Sequence, residues 1–177
     1  LFTDETDSEV IDALEDLEKS ASLQALILDL RGNGGGVVAP LTAVAGTFLP
    51  SGSVVYYEAE QEGETPVVTA ETPRFVGPLA VLVDGGTASA AEILAAALAE
   101  NSGAILVGQE TFGKGSIQAI YPLEDGSTLH ITTAVWLTPD HKRLDGVGLT
   151  PDHAVEVQPG QDAVLDAALD ALREMIE

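Results

Sequence analysis

The chain has 177 residues, of which 45% are hydrophobic, and its 29 acidic residues against 7 lysines and arginines give a formal net charge of −22. This length and apolar content predict one globular domain with a single core, and the acidity argues against nucleic acid and anionic membrane surfaces as partners. The sequence has no cysteine, which excludes disulfides and thiolate chemistry, and it lacks the run of about 18 apolar residues that spans a bilayer.

Apolar runs alternate with helical patterns along the chain. In chain order they predict a helix over 4–20, a buried parallel strand over 23–30, a helix over 37–49, a strand over 54–58, a loop or hairpin over 61–74, a buried strand over 79–83, an alanine-rich helix over 89–100, a strand over 105–108, a hairpin of 117–121 with 127–137, and a helix over 162–176. Strands that alternate with helices imply right-handed βαβ crossovers and an α/β fold.

Ser89 stands where the glycine-rich turn after the second buried strand leads into a helix. Unpaired N–H groups and the helix dipole at such a position favour a developing negative charge, as a serine nucleophile requires. The simpler interpretation is that Ser89 is an N-cap, with Glu92 completing a Ser-x-x-Glu capping box. The two roles are compatible.

Lys114 lies between two glycines in Thr111-Phe112-Gly113-Lys114-Gly115 and is one of only three lysines in the chain. A desolvated lysine can lose its proton and serve as the base for a serine nucleophile, although a solvated surface lysine is the ordinary alternative. Gln118 follows closely enough to hydrogen-bond the lysine amine and orient it. The sequence thus predicts a Ser89–Lys114 pair, in which Lys114 is expected to be buried without a partner carboxylate.

The run Gly34-Gly35-Gly36 follows the first buried strand. It can aim a backbone N–H into a concavity and form half of an oxyanion hole with the N–H of Ala90, or it can simply be a tight turn that needs positive φ. Its spacing does not fit a dinucleotide-binding loop.

No clustered ligand pattern predicts a metal. The histidines, His130 on a strand and His141 and His153 in turns, form no convincing triad. Asp29 ends a strand and is expected to be a turn residue or a partner of Arg31 rather than an acid. The sequence therefore predicts neither a metal nor a cofactor.

Four motifs in order make the chain resemble the C-terminal processing (tail-specific) serine proteases. They are Leu26 to Gly36 (LILDLRGNGGG), Val81 to Ile93 (VLVDGGTASAAEI), Val107 to Gln118 (VGQETFGKGSIQ), and Thr132 through Pro139 to Asp152 (GVGLTPD at its end). The resemblance implies a ClpP/crotonase-like α/β core with a β-hairpin, and a Ser–Lys mechanism. It carries the nucleophile onto Ser89, the base onto Lys114, the orienting amide onto Gln118, and the oxyanion donors onto the N–H groups of Ala90, Gly36 and Gly35.

The family context adds further expectations. Residues 1–177 would form a single protease core, without the PDZ domain and first strand that usually precede it. The expected partners are protein or peptide substrates bound at their C-terminal region. The missing strand would leave a sheet edge with which a second chain could pair, permitting a homo-oligomer. The family implies an extracytoplasmic location for the full-length protein, in the periplasm or cell envelope.

Two other functions fit the same fold. One is a non-catalytic module that binds peptides or hydrophobic ligands, which does not need Ser89, Lys114 and Gln118 together. The other is a crotonase-like acyl-CoA enzyme, which would need a basic cluster for the CoA phosphates that the sequence lacks.

Overall fold

The computed structural model describes residues 1–20, 22–60, 63–157 and 160–176, which form two four-stranded sheets and four helices. Within these residues, no helix is long and apolar enough to cross a membrane. The elements are α1 (Thr6–Ser20), β1 (Leu26–Asp29), α2 (Leu41–Gly46), β2 (Val54–Glu60), β3 (Gly63–Val68), β4 (Leu79–Val83), α3 (Ala90–Ser102), β5 (Ile105–Gly108), β6 (Ser116–Pro122), β7 (Thr128–Leu137), β8 (His153–Ala154) and α4 (Ala163–Ile176).

The first sheet is parallel, with strand order β1-β4-β5-β8. Its central strand β4 is buried on both faces: Val81 and Val83 join the main core, while Ala80 and Leu82 pack against α4. Burial on both faces explains the continuous apolar run by which β4 was predicted. The prediction that β1 is equally buried is wrong, because β1 is the edge strand and its residues are half-buried or exposed.

The second sheet is antiparallel, with strand order β3-β2-β7-β6. It confirms the hairpin of β6 with β7, and it resolves the predicted loop or hairpin over 61–74 into β3 paired with β2. Residues 61 and 62, between those two strands, lie outside the described residues. Helix α3 contacts β2 of this sheet and β5 of the parallel sheet, so it packs against both sheets.

Several elements differ in extent from the sequence prediction, and three differences bear on how the chain is organised. Helix α2 covers only Leu41–Gly46, and it begins after Pro40 because proline is disfavoured inside a helix. His153, expected in a turn, belongs to the short strand β8, which adds to the parallel sheet beside β5. Helix α4 begins one residue later than predicted, and the Asp162 carboxylate caps it by accepting the Leu165 N–H at 3.1 Å.

Candidate active site

Ser89 has an unusual backbone conformation. It precedes α3 with φ 57° and ψ −121°, a combination that non-glycine residues rarely adopt. Strain of this kind costs about 1–3 kcal/mol and persists only where the surroundings impose it. Ser89 and Glu92 have the reciprocal capping-box arrangement, but only one half makes a hydrogen bond of normal geometry, from Ser89 N–H to Glu92 Oε2 at 2.8 Å. The Ser89 hydroxyl is therefore not committed to capping.

Glu92 does more than cap the helix. Its side chain is fully buried, and Oε1 accepts from the Thr111 hydroxyl at 2.5 Å and from Gly113 N–H at 2.8 Å. Its Oε2 accepts from Ser89 N–H and, at 2.9 Å, from Lys114 N–H. One carboxylate thus holds the backbones of Ser89 and Lys114 at fixed positions. The Ser-x-x-Glu spacing revealed the cap, but the bonds to residues 111–114 had no signal in the local sequence.

The turn that carries Lys114 is fixed from its other side as well. Gly115 N–H donates to Asp145 Oδ1 at 3.0 Å, and the buried Trp136 donates its indole N–H to the Lys114 carbonyl at 2.8 Å. The Trp136 N–H also donates to the Gly115 carbonyl at 3.0 Å. These contacts constrain the Lys114 backbone and leave only its side chain free to move.

Ser89, Lys114 and Gln118 line one cavity of about 280 Å³. The other residues around it come from the glycine run, α3 and the antiparallel sheet: Gly36, Val38, Tyr56, Glu58, Ile93, Ser116, Ile117, Ile120 and Trp136. The structure therefore brings together the three side chains that the sequence singled out. Within the described residues, neither Lys114 Nζ nor the Gln118 amide makes a hydrogen bond or ion pair.

The expectation that Lys114 is buried is wrong. Its side chain is exposed, and so is that of Gln118. Gln118 lies on β6, which is the edge of its sheet and has a neighbouring strand on one side only, and Lys114 lies in the turn just before that strand. Lys114 does meet the other half of the expectation, because no described carboxylate pairs with it.

The glycine run lies directly against the start of α3. A Cβ added to Gly35 would lie 2.8 Å from the Ser89 Cβ and 3.0 Å from the Ala90 nitrogen, and Gly35 and Gly36 have φ of 94° and 136°. Gly35 N–H already donates to Asn33 Oδ1 at 3.0 Å. In the described part of the chain, neither Gly36 N–H nor Ala90 N–H donates a hydrogen bond, and Gly36 lines the cavity. Gly36 and Ala90 are thus better placed than Gly35 to receive an anion.

Phe2 holds the glycine run in place. Its N–H donates to the Gly35 carbonyl at 2.8 Å, and its carbonyl accepts the Val37 N–H at 3.0 Å. Its ring is buried in the main core. A Cβ on Gly36 would approach the Phe2 carbonyl oxygen to 2.2 Å, so this close contact requires glycine.

Asp29 and Arg31 form the predicted pair outside this cavity. Arg31 Nη2 lies 2.6 Å from Asp29 Oδ2, and its Nη1 lies 2.6 Å from Asp162 Oδ1 at the start of α4. Hydrogen bonds from the Arg31 side chain hold the pKa of both carboxyls below their usual range. Across the residues that are described, no group of three or more acidic or histidine side chains could hold a metal ion.

Comparison with known proteins decides the family. The sequence model of Peptidase family S41 matches residues 1–155. The chain belongs to peptidase family S41. It is 41% identical over 157 residues to the carboxy-terminal processing protease CtpA of Bacillus subtilis, a match that covers 88% of this chain and 34% of that protein.

Two further matches agree. The carboxyl-terminal-processing protease of Synechocystis sp. is 41% identical over 175 residues, 93% of this chain and 40% of the relative. The solved structure of a photosystem II D1 C-terminal processing protease matches with a TM-score of 0.80 and 32% identity, over 97% of this S41 chain and 44% of the other. These matches confirm the family and fold expected from the motifs and support a protease function. The chain spans less than half the length of these relatives.

Proposed function

We propose that this chain is the catalytic core of a C-terminal processing serine endopeptidase, with Ser89 as nucleophile and Lys114 as general base. The observation that carries the proposal is that both side chains line one cavity, while Glu92 hydrogen-bonds the backbones of both residues. The strained Ser89 conformation at a strand–turn–helix junction is typical of an exposed nucleophile. The S41 membership supports the same chemistry class.

In the proposed reaction, the neutral Lys114 amine takes the Ser89 hydroxyl proton as Oγ attacks the peptide carbonyl carbon. The same proton then passes to the leaving amine, so the acyl group stays on Ser89 until water, deprotonated by Lys114, hydrolyses the ester. The Lys114 side chain is exposed. A peptide that covers it removes water from the amine and favours the neutral, proton-accepting form. Gln118, which lines the cavity, would then orient the amine.

The oxyanion of the tetrahedral intermediate would lie between the N–H groups of Gly36 and Ala90. Both belong to backbone that is fixed by neighbouring contacts, Gly36 by Phe2 and Ala90 by the start of α3. Donors that are already in place cost no reorganisation during the reaction, and losing one typically costs on the order of 3 kcal/mol in the barrier.

The family context extends the proposal to substrates and location. The named relatives are carboxyl-terminal processing enzymes from bacteria and from chloroplasts. We assign to this chain protein substrates processed near their C-terminus and an extracytoplasmic site of action, and the exposed sheet edges suit a homo-oligomer.

A second candidate, a peptide-binding module without catalysis, is favoured by the exposed Lys114 and the unpaired Gln118. One experiment separates the two. Wild-type protein, Ser89→Ala, Lys114→Ala and the control Lys19→Ala, which alters a surface lysine on α1, are incubated with casein. Separate samples of each protein are treated with a fluorophosphonate, which labels reactive serines, and intact-mass spectrometry measures the adduct on Ser89.

Cleavage and adduct formation should be present in wild type and Lys19→Ala and lost in Ser89→Ala, with at least a hundredfold slower reaction in Lys114→Ala. Cleavage that survives Ser89→Ala would refute the nucleophile. A wild type that neither cleaves nor forms the adduct would favour the binding module.

A further inference from the structure

One carboxylate in the cavity has no partner. Glu58 is half-buried on β2 and lines the cavity together with Tyr56, two residues earlier on the same face of the strand. Among the described residues, the Glu58 carboxylate takes part in no ion pair and accepts no hydrogen bond. Burial, and then the nearby charge of Glu58, raise the pKa of the Tyr56 phenol.

Few cations of the chain remain to neutralise the Glu58 carboxylate, and one of them, Lys114, lines the same cavity. Five of the seven lysines and arginines are already paired with acids, namely Lys19, Arg31, Arg74, Lys142 and Arg173. A half-buried carboxylate loses further water when a ligand covers it, and that loss is offset only if the ligand brings a cation or a donor. If Lys114 acts as the neutral base, the positive charge that would match Glu58 has to come from the ligand.

The walls of the cavity define the rest of that ligand. Ile117, Ile120 and Trp136 form an apolar surface between the strand edge and Glu58. At about 280 Å³ the cavity is smaller than a typical small-molecule site of roughly 300–1,000 Å³, so it suits one long side chain beside the reacting carbonyl. A lysine or arginine fits, since its alkyl stem lies on apolar surface while its charged end reaches an acid.

We propose that Glu58 selects substrates with a lysine or arginine side chain adjoining the bond that Ser89 attacks. The inference rests on the proposed function and names a specificity for it. The net charge of −22 acts in the same direction, because a strongly acidic protein attracts cationic peptides.

The test uses two peptides that differ at one residue, lysine or norleucine, beside the scissile bond. Their kcat/KM is measured with wild type, Glu58→Gln and the matched control Glu60→Gln, which removes the same charge from an exposed position on the same strand outside the cavity. Binding of both peptides to Ser89→Ala, with and without Glu58→Gln, is measured by fluorescence anisotropy and needs no catalysis.

We expect wild type to prefer the lysyl peptide. Glu58→Gln should lower the kcat/KM and the binding affinity for the lysyl peptide about ten- to a hundredfold, because one charge-assisted hydrogen bond is lost. The norleucyl peptide should change less than about twofold, and Glu60→Gln should leave the preference intact.

Three results would overturn the proposal: an equal kcat/KM of wild type for both peptides, a loss in Glu60→Gln as large as that in Glu58→Gln, or faster turnover of both peptides by Glu58→Gln. The last would mean that Glu58 acts on Lys114 instead of on the substrate. If no variant cleaves either peptide, the protease assignment fails, and the binding ratio alone decides whether Glu58 selects a cation.

Discussion

Glu92 offers the most direct test of how the site is held together. Its two oxygens accept four hydrogen bonds, two from the turn at Thr111 and Gly113 and one each from the backbones of Ser89 and Lys114. Glutamine retains one oxygen and replaces the other with an NH₂ group that faces two donors. We expect the NH₂ to turn toward Thr111, whose hydroxyl can rotate to accept, leaving Gly113 N–H unpaired.

Leaving one buried N–H unpaired and weakening charge-assisted bonds cost about 1–3 kcal/mol each. Glu92→Gln should therefore lower the free energy of unfolding by about 3 kcal/mol. Glu92→Ala would leave all four donors unpaired, and its loss of unfolding free energy would approach the whole stability of a domain, about 5–15 kcal/mol. Glutamine is therefore the informative variant. A shift of about 1 Å between nucleophile and base would slow peptide hydrolysis roughly a hundredfold.

Urea denaturation and peptide hydrolysis measure the two effects separately. Glu110→Gln is the control, because it removes the same charge from an exposed neighbouring residue and should stay within about 0.5 kcal/mol of wild type. If Glu92→Gln is as stable as this control, the hydrogen bonds of Glu92 do not hold the site. If it is destabilised but fully active, Glu92 does not position Ser89 and Lys114.

Three further predictions concern other contacts. Gly36→Ala should lose more unfolding free energy and more peptide-hydrolysis activity than the control Gly52→Ala. Both glycines have positive φ, but only a Cβ at position 36 meets the Phe2 backbone. Equal losses in the two variants, measured by denaturation and peptide hydrolysis, would show that φ strain alone matters. Phe2→Ala should cost about 3–5 kcal/mol of unfolding free energy, as for other buried phenylalanines, and calorimetry that finds a surface-like effect below about 0.5 kcal/mol would contradict it. Folding lowers the pKa of Asp29 and Asp162, so their pairs with Arg31 stabilise the fold above the unfolded pKa of about 3.9 and lose that contribution as pH falls through the lower folded pKa values. Asp162→Asn should therefore weaken the fall in unfolding free energy between pH 5 and pH 2, measured by denaturation. An unchanged pH dependence would show that the pairs contribute nothing.

Local patterns in the sequence predicted much of the fold. The apolar run of β4 and the alanine-rich pattern of α3 identified those elements because both are surrounded by other parts of the core. The two-residue strand β8 had no such signal, since its pairing with β5 depends on chain that is distant in sequence. The half-burial of β1 likewise depends on its edge position, which no local pattern encodes.

The candidate site was predicted in its residues more than in its environment. Ser89, Lys114 and Gln118 do share a cavity, but the expected burial of Lys114 was wrong because this residue lies with its side chain exposed in the turn just before the edge strand β6. Two features could not be predicted: the hydrogen bond from Gly35 N–H to the Asn33 side chain and the unpaired Glu58 in the cavity. Both depend on how side chains are placed in the folded chain.

Trp136 is the only tryptophan in the chain. Its ring lines the cavity and its N–H is bonded to the carbonyl of Lys114, so its ultraviolet emission depends on the polarity around the nucleophile and base. The protein thus carries an intrinsic optical reporter, and stopped-flow fluorescence without any added label can time the arrival of a peptide separately from the steps that follow.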